Sequence, residues 1–323
     1  MRSSFLAFIA LFVAAPAAFA WHDSGHKLTA RIAFGMLDEA AQDRVTSVLR
    51  AHPRFAQDFV ARMPEEIANG DDRTKVLWIF EQASIWPDLV AHISDAVRDQ
   101  YHRGTWHYIN LPLFLTERDK RALSGKLDHN VSMDFEPPLR QGLNIVQALQ
   151  GNLRVWRDEN APDAEKAVAL CWILHLSGDV HQPLHNVALF SERWFPEGDR
   201  GGNGIAVRRK PENTNLHAAW DGLIRRDDAP VADADTNSLL SNDTVDGAAI
   251  GAWSRHGHAL AGQFAYTRDV RQQILAQEPG EDPPLVSLSD DYIAAARTLA
   301  GQQVIIAGHR IASLLSSALS ETK

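Results

Sequence analysis

The densest group of chemically active side chains in this sequence lies near the middle of the chain. Three histidines and one aspartate occur there among apolar neighbours: His175, Asp179, His181 and His185. Because His175 and Asp179 are four residues apart, a helix places them on one face, where an imidazole and a carboxylate can bind one cation. Pro183 ends that helix and lets His185 return toward the same place. The spacing predicts a metal site, since unpaired polar groups at this density are costly to bury.

Other potential ligands lie before and after this segment. His217 and Asp221 repeat the spacing of four residues and follow Asn215, a good helix-capping residue. His107 and Asp88 each stand beside aromatic residues, and each taken singly is more typical of a structural role. Together with the central segment, these residues strengthen the prediction of a metal centre.

The N-terminal segment has the features of a secretory signal. Arg2 precedes an apolar run, and Ala18-Phe19-Ala20 is a small-x-small cleavage site. We therefore expect removal of residues 1 to 20 as a signal peptide and a mature chain that begins at Trp21, with His26 close to the new amine. No later segment has the roughly 18 uninterrupted apolar residues needed to cross a bilayer, so no membrane anchor is expected. The single Cys171 excludes an internal disulfide and favours a bacterial periplasmic or secreted protein.

Charge and length restrict the class of protein further. The chain has 32 basic and 41 acidic residues, and loss of the signal would remove only the charge of Arg2, which makes the net charge of −9 one unit more negative. A protein that binds nucleic acid by counterion release carries the opposite sign, so a polyanionic substrate would have to be attracted by bound cations. Because no repeat or Gly/Ser-rich linker divides residues 21 to 323, we predict a single domain, and no obligate protein partner is indicated.

Apolar residues recur at helical spacing through most of the chain. The predicted helices include one that starts after an N-cap at Ser24, and the segments 143–153, Ala164 to Asp179 and Tyr292 to Leu315. The exceptions are the polar loop from Arg225 to Gly247 and the segment Glu197 to Lys210, where Gly201-Gly202-Asn203-Gly204 adjoins the strand-like Ile205-Ala206-Val207. The pattern predicts an all-α fold, a single mainly helical domain with a small β-hairpin.

The motifs, in this order, resemble the zinc-dependent single-strand nuclease family of mung bean nuclease and its fungal relatives, within the phospholipase C/nuclease superfamily. The resemblance runs from Trp21 to the last predicted helix. The ordered motifs are Trp21-xxxx-His26, Trp86-x-Asp88, Trp106-His107-Tyr108-Ile109, His175-xxx-Asp179-x-His181-Gln182-Pro183-Leu184-His185, Gly201-Gly202-Asn203, Leu216-His217-xx-Trp220-Asp221 and Ala307-Gly308-x-Arg310. The ordered series is far more specific than any one motif, and the single cysteine of an exported chain favours a bacterial-type member.

The resemblance implies a phospholipase C/nuclease-like helical fold with three zinc ions at the bottom of a cleft. The residues at the ligand positions form three groups: Asp88, His107, His175 and Asp179 for the first zinc; the amine and carbonyl of Trp21 with His26 and a shared Asp179 for the second; and His185, His217 and Asp221 for the third. His181 lies six residues from His175, roughly 120° around a helix from it, and is excluded from the ligands.

The resemblance also implies a reaction. Zinc lowers the pKa of a bound water to about 7, so hydroxide can attack phosphorus in line, the bond to the 3′-oxygen breaks, and the product carries a 5′-phosphate. Asp88 would help to orient the attacking group. The implied substrates are single-stranded DNA and RNA. A 3′-nucleotidase activity is implied less directly, because Asn110 is followed by Leu111 and other apolar residues where some fungal members carry charged ones.

Three residues are implied to contact the substrate. Tyr108 takes the position of an aromatic residue that stacks on a nucleobase, an interaction worth roughly 1 to 3 kcal/mol that requires an unstacked base and so favours single strands. Asn110 stands where fungal members have aspartate, and because an amide both donates and accepts hydrogen bonds, the base preference can differ. Asn203 can reach phosphate from its glycine-rich turn, although a turn accounts for these residues nearly as well.

Two alternatives remain at this point. A zinc-dependent phospholipase C has a similar three-metal site, but those lipases end the last ligand pair as His-xxx-Glu, where this chain has His217-xxx-Asp221. A non-catalytic zinc-storage protein would favour flexible histidine-rich tracts, whereas these ligands lie at fixed helical spacings among apolar residues.

Overall fold

The computed structural model of the chain describes residues 21–135, 142–208, 212–225, 227–229, 236, 249–278 and 284–320, with side chains described as far as residue 316. The predicted signal peptide, residues 1 to 20, lies outside the described residues.

Helices form most of the described chain, and the predicted all-α fold class is confirmed. In chain order they are α1 (Asp23–Met36), α2 (Glu39–Arg50), α3 (Glu65–Ala68), α4 (Asp72–Leu89), α5 (Asp95–Tyr101), α6 (Glu117–Leu123), α7 (Ile145–Arg157), α8 (Asp163–Asp179), α9 (Leu216–Asp221), α10 (Ala249–Leu260), α11 (Arg268–Leu275) and α12 (Asp290–Ser320). A membrane-spanning helix would need more length and apolar character than any helix of the described ranges possesses.

Helix α8 is the centre of the fold. It packs against α1, α2, α4, α7 and α12. Its second half, from Ala169 onward, is buried on all sides, as expected of a helix with apolar residues around its whole circumference. His175 and Asp179 are therefore held inside the packed helices, with no exposed fraction of either side chain. Burial at this position fixes the two side chains before any ligand binds.

Local sequence determines where the helices of the site begin and end. The Asn215 side chain accepts the amide hydrogen of Ala218 at 2.7 Å, which starts α9 as the capping prediction requires. Helix α8 ends at Asp179, and Pro183 then opens a short 3-10 turn, Pro183–Asn186. The predicted N-cap at Ser24 is wrong. Helix α1 begins at Asp23 with His22 in the cap position and no side-chain cap bond, because the chain enters α1 two residues earlier than the apolar pattern indicates.

Short strands connect the helical segments. Strand β1 (Pro112–Phe114) pairs in parallel with β2 (Ala188–Phe190), and this pairing is not predicted by the sequence analysis. Strand β3 (Ala206–Val207) pairs with β4 (Thr214–Asn215) as the predicted antiparallel hairpin, and also in parallel with β5 (Leu285–Val286). Next to the β1–β2 pair, the amide of Ile109 donates to the carbonyl of His185 at 2.9 Å. This connection brings the segment that carries His107 to the turn that follows α8.

Candidate metal centre

The part of the chain that the structure describes contains three clusters of side chains that could hold a metal ion. They are His26 with His175 and Asp179, Asp88 with His107 and His175, and His185 with His217 and Asp221. Within each cluster the ligand atoms lie within 4.8 Å of one another. Every side-chain ligand predicted from the sequence is therefore brought into one of three adjacent groups, although these residues come from four helices and two turns.

Asp179 connects the first two clusters through its two oxygens. Oδ1 lies 3.2 Å from Nε2 of His26. Oδ2 lies 3.1 Å from Nδ1 of His107 and 3.3 Å from Nε2 of His175. Asp88 closes the second cluster, with Oδ1 at 3.5 Å from His175 Nε2 and 3.7 Å from His107 Nδ1. A carboxylate in this position can face two cations at once, as the sequence analysis expects of Asp179.

The third cluster lies beyond the turn that Pro183 opens. The Nε2 atoms of His185 and His217 are 3.1 Å apart, and Oδ2 of Asp221 is 3.6 Å from His217 Nε2. His185 donates from Nδ1 to the carbonyl of His107 at 2.5 Å, so one histidine of the third cluster is fixed by the backbone of the second. Gln182 donates from Nε2 to Oδ1 of Asp221 at 2.7 Å, which holds that carboxylate in place.

The donor set fits a metal ion. His175 donates from Nδ1 to the carbonyl of Ser84 at 2.8 Å, which leaves Nε2 as the ring nitrogen that faces its cluster. Among the described residues, Nε2 of His26 and Oδ1 of Asp179 are buried atoms without a hydrogen-bond partner, although they lie 3.2 Å apart. Buried polar atoms are rarely left unsatisfied, and a cation shared by both would satisfy them.

Electrostatic interactions at the first two clusters favour charged carboxylates. Burial alone would make Asp179 neutral, but His175, His107 and His26 outweigh it and hold its pKa well below the usual range. Burial likewise opposes ionisation of Asp88, and His175 and His107 lower its pKa. Burial disfavours the charged form of His175, yet Asp179 and Asp88 raise its pKa to about 9. The concentrated negative charge is what a bound cation would neutralise.

At the third cluster, unlike the first two, burial determines the direction of the pKa shifts. Burial and the neighbouring His185 lower the pKa of His217 to about 3, so its imidazole is neutral, which is the form that binds metals. Burial raises the pKa of Asp221 well above its usual range despite the hydrogen bond from Gln182. Among the described residues, no charged partner offsets the burial of Asp221 as the histidines offset that of Asp179. A cation at this cluster would supply that charge.

Trp21, predicted to be a zinc ligand through its amine and carbonyl, is the first residue that the structure describes. Its side chain is fully buried. The next residue, His22, donates its backbone amide to the carbonyl of Asp221 at 3.2 Å, so the first described residues are tied to the end of α9. His26 follows on the first turns of α1 and stacks on His175, with ring centroids 4.1 Å apart.

A glycine makes room for His26 against α8. A Cβ atom at Gly178 would lie 2.7 Å from Nδ1 of His26, closer than side-chain atoms approach one another. Gly178 thus allows the imidazole of α1 to reach Asp179 on the neighbouring helix.

His181, excluded from the ligands in the sequence analysis, is directed away from the clusters. Its Nδ1 donates to the carbonyl of Ser177 at 2.6 Å, and Arg310 donates to its Nε2 at 2.7 Å. The guanidinium of Arg310 also lies 4.6 Å above the ring of Trp253. His181 and Arg310 therefore connect α8, α10 and α12 through residues that do not belong to the three clusters.

The predicted substrate-binding residues occupy two places. Tyr108 and Asn110 line one open pocket together with His129 and Asn144. The Tyr108 side chain is 39% exposed, enough for a planar group to stack on it. Asn203 lies elsewhere, in the glycine-rich turn, where its Nδ2 donates to the carbonyl of Arg200 at 2.8 Å. That bond supports the turn, so the structural explanation of Asn203 has direct support.

Several residues that position the ligands are not identified by sequence reasoning. Gln182 falls inside the central motif, but its bond to Asp221 depends on the position of α9. Gly178 gives no sign of its contact with His26. Asp199 is buried beside the glycine-rich turn and accepts hydrogen bonds from it. An acid two residues before consecutive glycines is the only sequence signal that could have drawn attention to Asp199.

The helical fold and the three adjacent His/Asp clusters define a protein built around a candidate metal centre that joins helices distant in sequence. Residues 21–320 match the family model described as S1/P1 Nuclease, so the chain belongs to the S1/P1 nuclease family.

Individual relatives share part of this sequence. The chain is similar to Endonuclease 2 of Arabidopsis thaliana, with 29% identity over 218 residues that cover 66% of this chain and 59% of the relative. It is also similar to Nuclease S1 of Aspergillus oryzae, with 28% identity over 173 residues, or 52% of this chain and 49% of the relative. A shorter match to Endonuclease 4 of Arabidopsis thaliana has 46% identity over 56 residues. The matched region thus spans about half of the fungal relative and 59% of the first plant relative.

Proposed function

We propose that this protein is a zinc-dependent endonuclease that hydrolyses phosphodiester bonds of single-stranded DNA and RNA and leaves 5′-phosphates. The observation that carries the proposal is the position of Asp179, whose two oxygens face His26 on one side and His107 with His175 on the other. Membership of the S1/P1 nuclease family supports the nuclease reaction. The names of the relatives, endonucleases among them, support it further.

The predicted ligands are assigned to three zinc ions. The first would be held by Asp88, His107, His175 and Asp179; the second by the amine and carbonyl of Trp21, His26 and Asp179; and the third by His185, His217 and Asp221. Imidazole and carboxylate are ordinary zinc ligands, and a set of three leaves a position for water or substrate. When bound, zinc supplies a Lewis acid and lowers the pKa of a water ligand to about 7.

Asp88 is proposed as the catalytic carboxylate. Its side chain is 14% exposed, whereas that of Asp179 is fully buried. One of its oxygens faces His107 and His175, and these histidines keep its pKa below the usual range, so it is a carboxylate at neutral pH. The second oxygen can then accept a hydrogen bond from the attacking water and orient it toward phosphorus.

Substrate recognition is proposed for the pocket beside the second cluster. Tyr108 directly follows His107, so a base stacked on the exposed ring would lie close to the clusters. Stacking is worth roughly 1 to 3 kcal/mol, accepts any base and requires it to be unpaired. Asn110 would contact the base edge, and its amide can both donate and accept. Asn203 is proposed to approach phosphate through the oxygen of its amide, because its nitrogen is used within the turn. A 3′-nucleotidase activity belongs to the same proposal and needs its own assay.

Processing and location are further parts of the proposal. We infer that residues 1 to 20 are a signal peptide, that residues 21 to 323 form one catalytic domain, and that the protein is periplasmic or secreted. The family match starts at residue 21, the residue that the predicted cleavage exposes. The buried position of Trp21 and the bond from His22 to Asp221 support a role for the new amine at the second zinc.

One experiment tests the proposed function. The processed protein is analysed for bound metals and then assayed on denatured DNA, duplex DNA, RNA and phosphatidylcholine. We expect about three zinc ions per chain, cleavage of denatured DNA and RNA, and little cleavage of duplex DNA or lipid. Cleavage of phosphatidylcholine alone would indicate a phospholipase C instead. Retention of zinc without any phosphodiesterase activity would indicate a zinc-storage protein.

A further inference from the structure

The carboxylate of Asp199 lies buried next to the third cluster and has no part in the proposed reaction. Its exposed fraction is 1%. Oδ1 accepts the amide hydrogen of Leu189 at 2.8 Å. Oδ2 accepts the amide hydrogen of Gly202 at 3.0 Å and the hydroxyl hydrogen of Tyr266 at 2.7 Å. Within the described ranges, no Lys, Arg or His comes within ion-pair distance of Asp199. Among the described residues, the Asp199 carboxylate is therefore stabilised by hydrogen bonds and not by an ion pair.

Asp199 holds a turn with an unusual backbone. Arg200, Gly201 and Gly202 have φ angles of +57°, +61° and +88°, so three consecutive residues adopt the left-handed region. For Arg200 this conformation is unfavourable and persists only where surrounding bonds impose it. The amide of Gly202 is bonded to the Asp199 carboxylate, and the amide of Gly204 donates to the Asp199 carbonyl at 2.9 Å. Asp199 therefore holds the turn through its side-chain carboxylate and through its backbone carbonyl.

This turn is fitted tightly against the third cluster. A Cβ atom at Gly201 would collide with the carbonyl of Leu184, the residue before His185, and one at Gly202 would lie 3.2 Å from the backbone nitrogen of His217. The carbonyl of Gly201 accepts the Nδ1 hydrogen of His217 at 2.6 Å. Because Nδ1 is used in this way, the Nε2 lone pair of His217 points toward His185 and Asp221.

We propose that Asp199 and Tyr266 are positioning residues that set the tautomer and orientation of His217 and thereby the affinity of the third cluster for its metal ion. The inference rests on the proposed function, which assigns a zinc ion to His185, His217 and Asp221. Tyr266 orients the Asp199 carboxylate, Asp199 holds the left-handed turn, and the Gly201 carbonyl orients the imidazole. Neither residue contacts a ligand side chain directly, so their effect reaches the metal only through the turn.

The test compares zinc release from the processed protein and its variants in a graded series of chelator concentrations. Tyr266→Phe removes one hydroxyl, and Asp199→Asn replaces one acceptor oxygen with a donor. Asp119→Asn is the matched control, because Asp119 is also buried and accepts a backbone amide, that of Glu192 at 2.8 Å, away from the clusters. His217→Ala serves as the reference in which the third ion is lost outright.

Loss of such an outer partner typically weakens metal affinity about 10- to 100-fold. We expect the lower end of that range for Tyr266→Phe and the upper end for Asp199→Asn. The affected ion should be the one that His217→Ala lacks, the other two should be retained as in Asp119→Asn, and added zinc should restore both the third ion and activity. Recovery with zinc is the result that a general loss of folding would not give.

Identical release curves for Tyr266→Phe and the wild type would overturn the inference, as would parallel loss of all three ions. If Asp199→Asn fails to fold, Tyr266→Phe decides the matter, because it changes one atom. A wild-type protein that binds no third zinc contradicts the proposed function itself. Three zinc ions in the wild type with an unchanged Tyr266→Phe contradict the inference alone.

Discussion

The Nε2 atoms of His185 and His217 face each other at 3.1 Å, while the Nδ1–H group of each ring is donated to a backbone carbonyl. In neutral imidazoles with these tautomers, both facing nitrogens carry a lone pair and no hydrogen. Two lone pairs at that distance repel one another, and the low pKa of His217 disfavours a proton between them. A cation removes the repulsion, so the geometry of the protein itself favours metal binding.

Metal removal should therefore reduce both activity and stability. We expect excess EDTA and dialysis to abolish hydrolysis of single-stranded DNA and to lower the Tm. Zn²⁺ should restore both better than Mg²⁺, because Mg²⁺ prefers all-oxygen shells and the clusters are rich in histidine. Each zinc present at 100 times its Kd adds about 2.7 kcal/mol to the free energy of unfolding. Full activity after complete removal of metal would contradict the zinc assignment.

Asp179→Asn tests whether the negative charge of Asp179, and not only its shape, is needed to bind two zinc ions. The substitution keeps the side-chain volume and removes the negative charge that faces His26, His107 and His175. At least one zinc should be lost, along with nearly all turnover, as measured by metal analysis and initial rates. His181→Ala, two residues beyond Asp179, is the control and should retain three zinc ions, because its ring contacts Ser177 and Arg310 instead. If Asp179→Asn also holds three zinc ions and full activity, the bridging assignment is wrong.

Gly178→Ala should damage the cluster that contains His26. The added methyl would lie 2.7 Å from Nδ1 of His26 and displace that ring from Asp179. We expect loss of the zinc assigned to His26 and a fall in activity of at least tenfold. Gly35→Ala on α1 is the matched control, since nothing lies within 4 Å of its new methyl. That variant should gain about 0.5 to 1 kcal/mol in stability and keep full zinc content. Equal zinc content in the two variants would show that His26 is not a ligand.

The N-terminus offers a test of processing. In an uncleaved precursor the nitrogen of Trp21 belongs to a peptide bond, where its lone pair is delocalised, and only cleavage after Ala20 makes a basic amine that can bind zinc. A chain with one extra residue before Trp21 should weaken the second zinc and cleave single-stranded DNA much more slowly, while its circular dichroism stays helical. The comparison is with the chain that begins at Trp21. Equal zinc content and equal rates would show that Trp21 is only a packing residue.

His52 should make the protein less stable in mild acid. Burial lowers its pKa from 6.5 to about 4, so the native state keeps the ring neutral where the unfolded chain would protonate it. Its contribution is complete above pH 6.5 and is lost as the pH falls toward 4, by about 2 to 3 kcal/mol at pH 4.5. Urea unfolding at pH 7 and pH 4.5 should show this extra loss in the wild type relative to His52→Phe. The same pH dependence in both proteins would rule out His52 as the cause.

The sequence predicts the parts of this structure that depend on local spacing. The separation of His175 from Asp179, the break at Pro183 and the cap at Asn215 each fix a helix end or a helix face. A periodic pattern carries this information because it repeats within a few residues. The fold class and the gathering of the candidate ligands follow from these local rules together with the order of the motifs.

The remaining features depend on contacts between distant segments. Strands β1 and β2 are three residues long, too short to show an alternating pattern, and they pair across more than seventy residues. The hydrogen bond between Asp199 and Tyr266 joins residues 67 positions apart, and neither residue stands in a periodic pattern. The space at Gly178 exists only because α1 packs on α8 at that point. Such relationships are set by tertiary packing, which single-residue patterns do not encode.

The clusters also bear on how the folded chain is cross-linked. With Cys171 as its single cysteine, the protein has no disulfide of its own to close a loop. The contacts between His107 and His175 and between His185 and His217 join positions 68 and 32 residues apart. A metal ion bound at each contact would be a reversible cross-link that closes a long loop. Such a cross-link restricts the unfolded chain as a covalent bridge does. The supply of metal around the protein would then determine how long the folded protein lasts, as well as how fast it works.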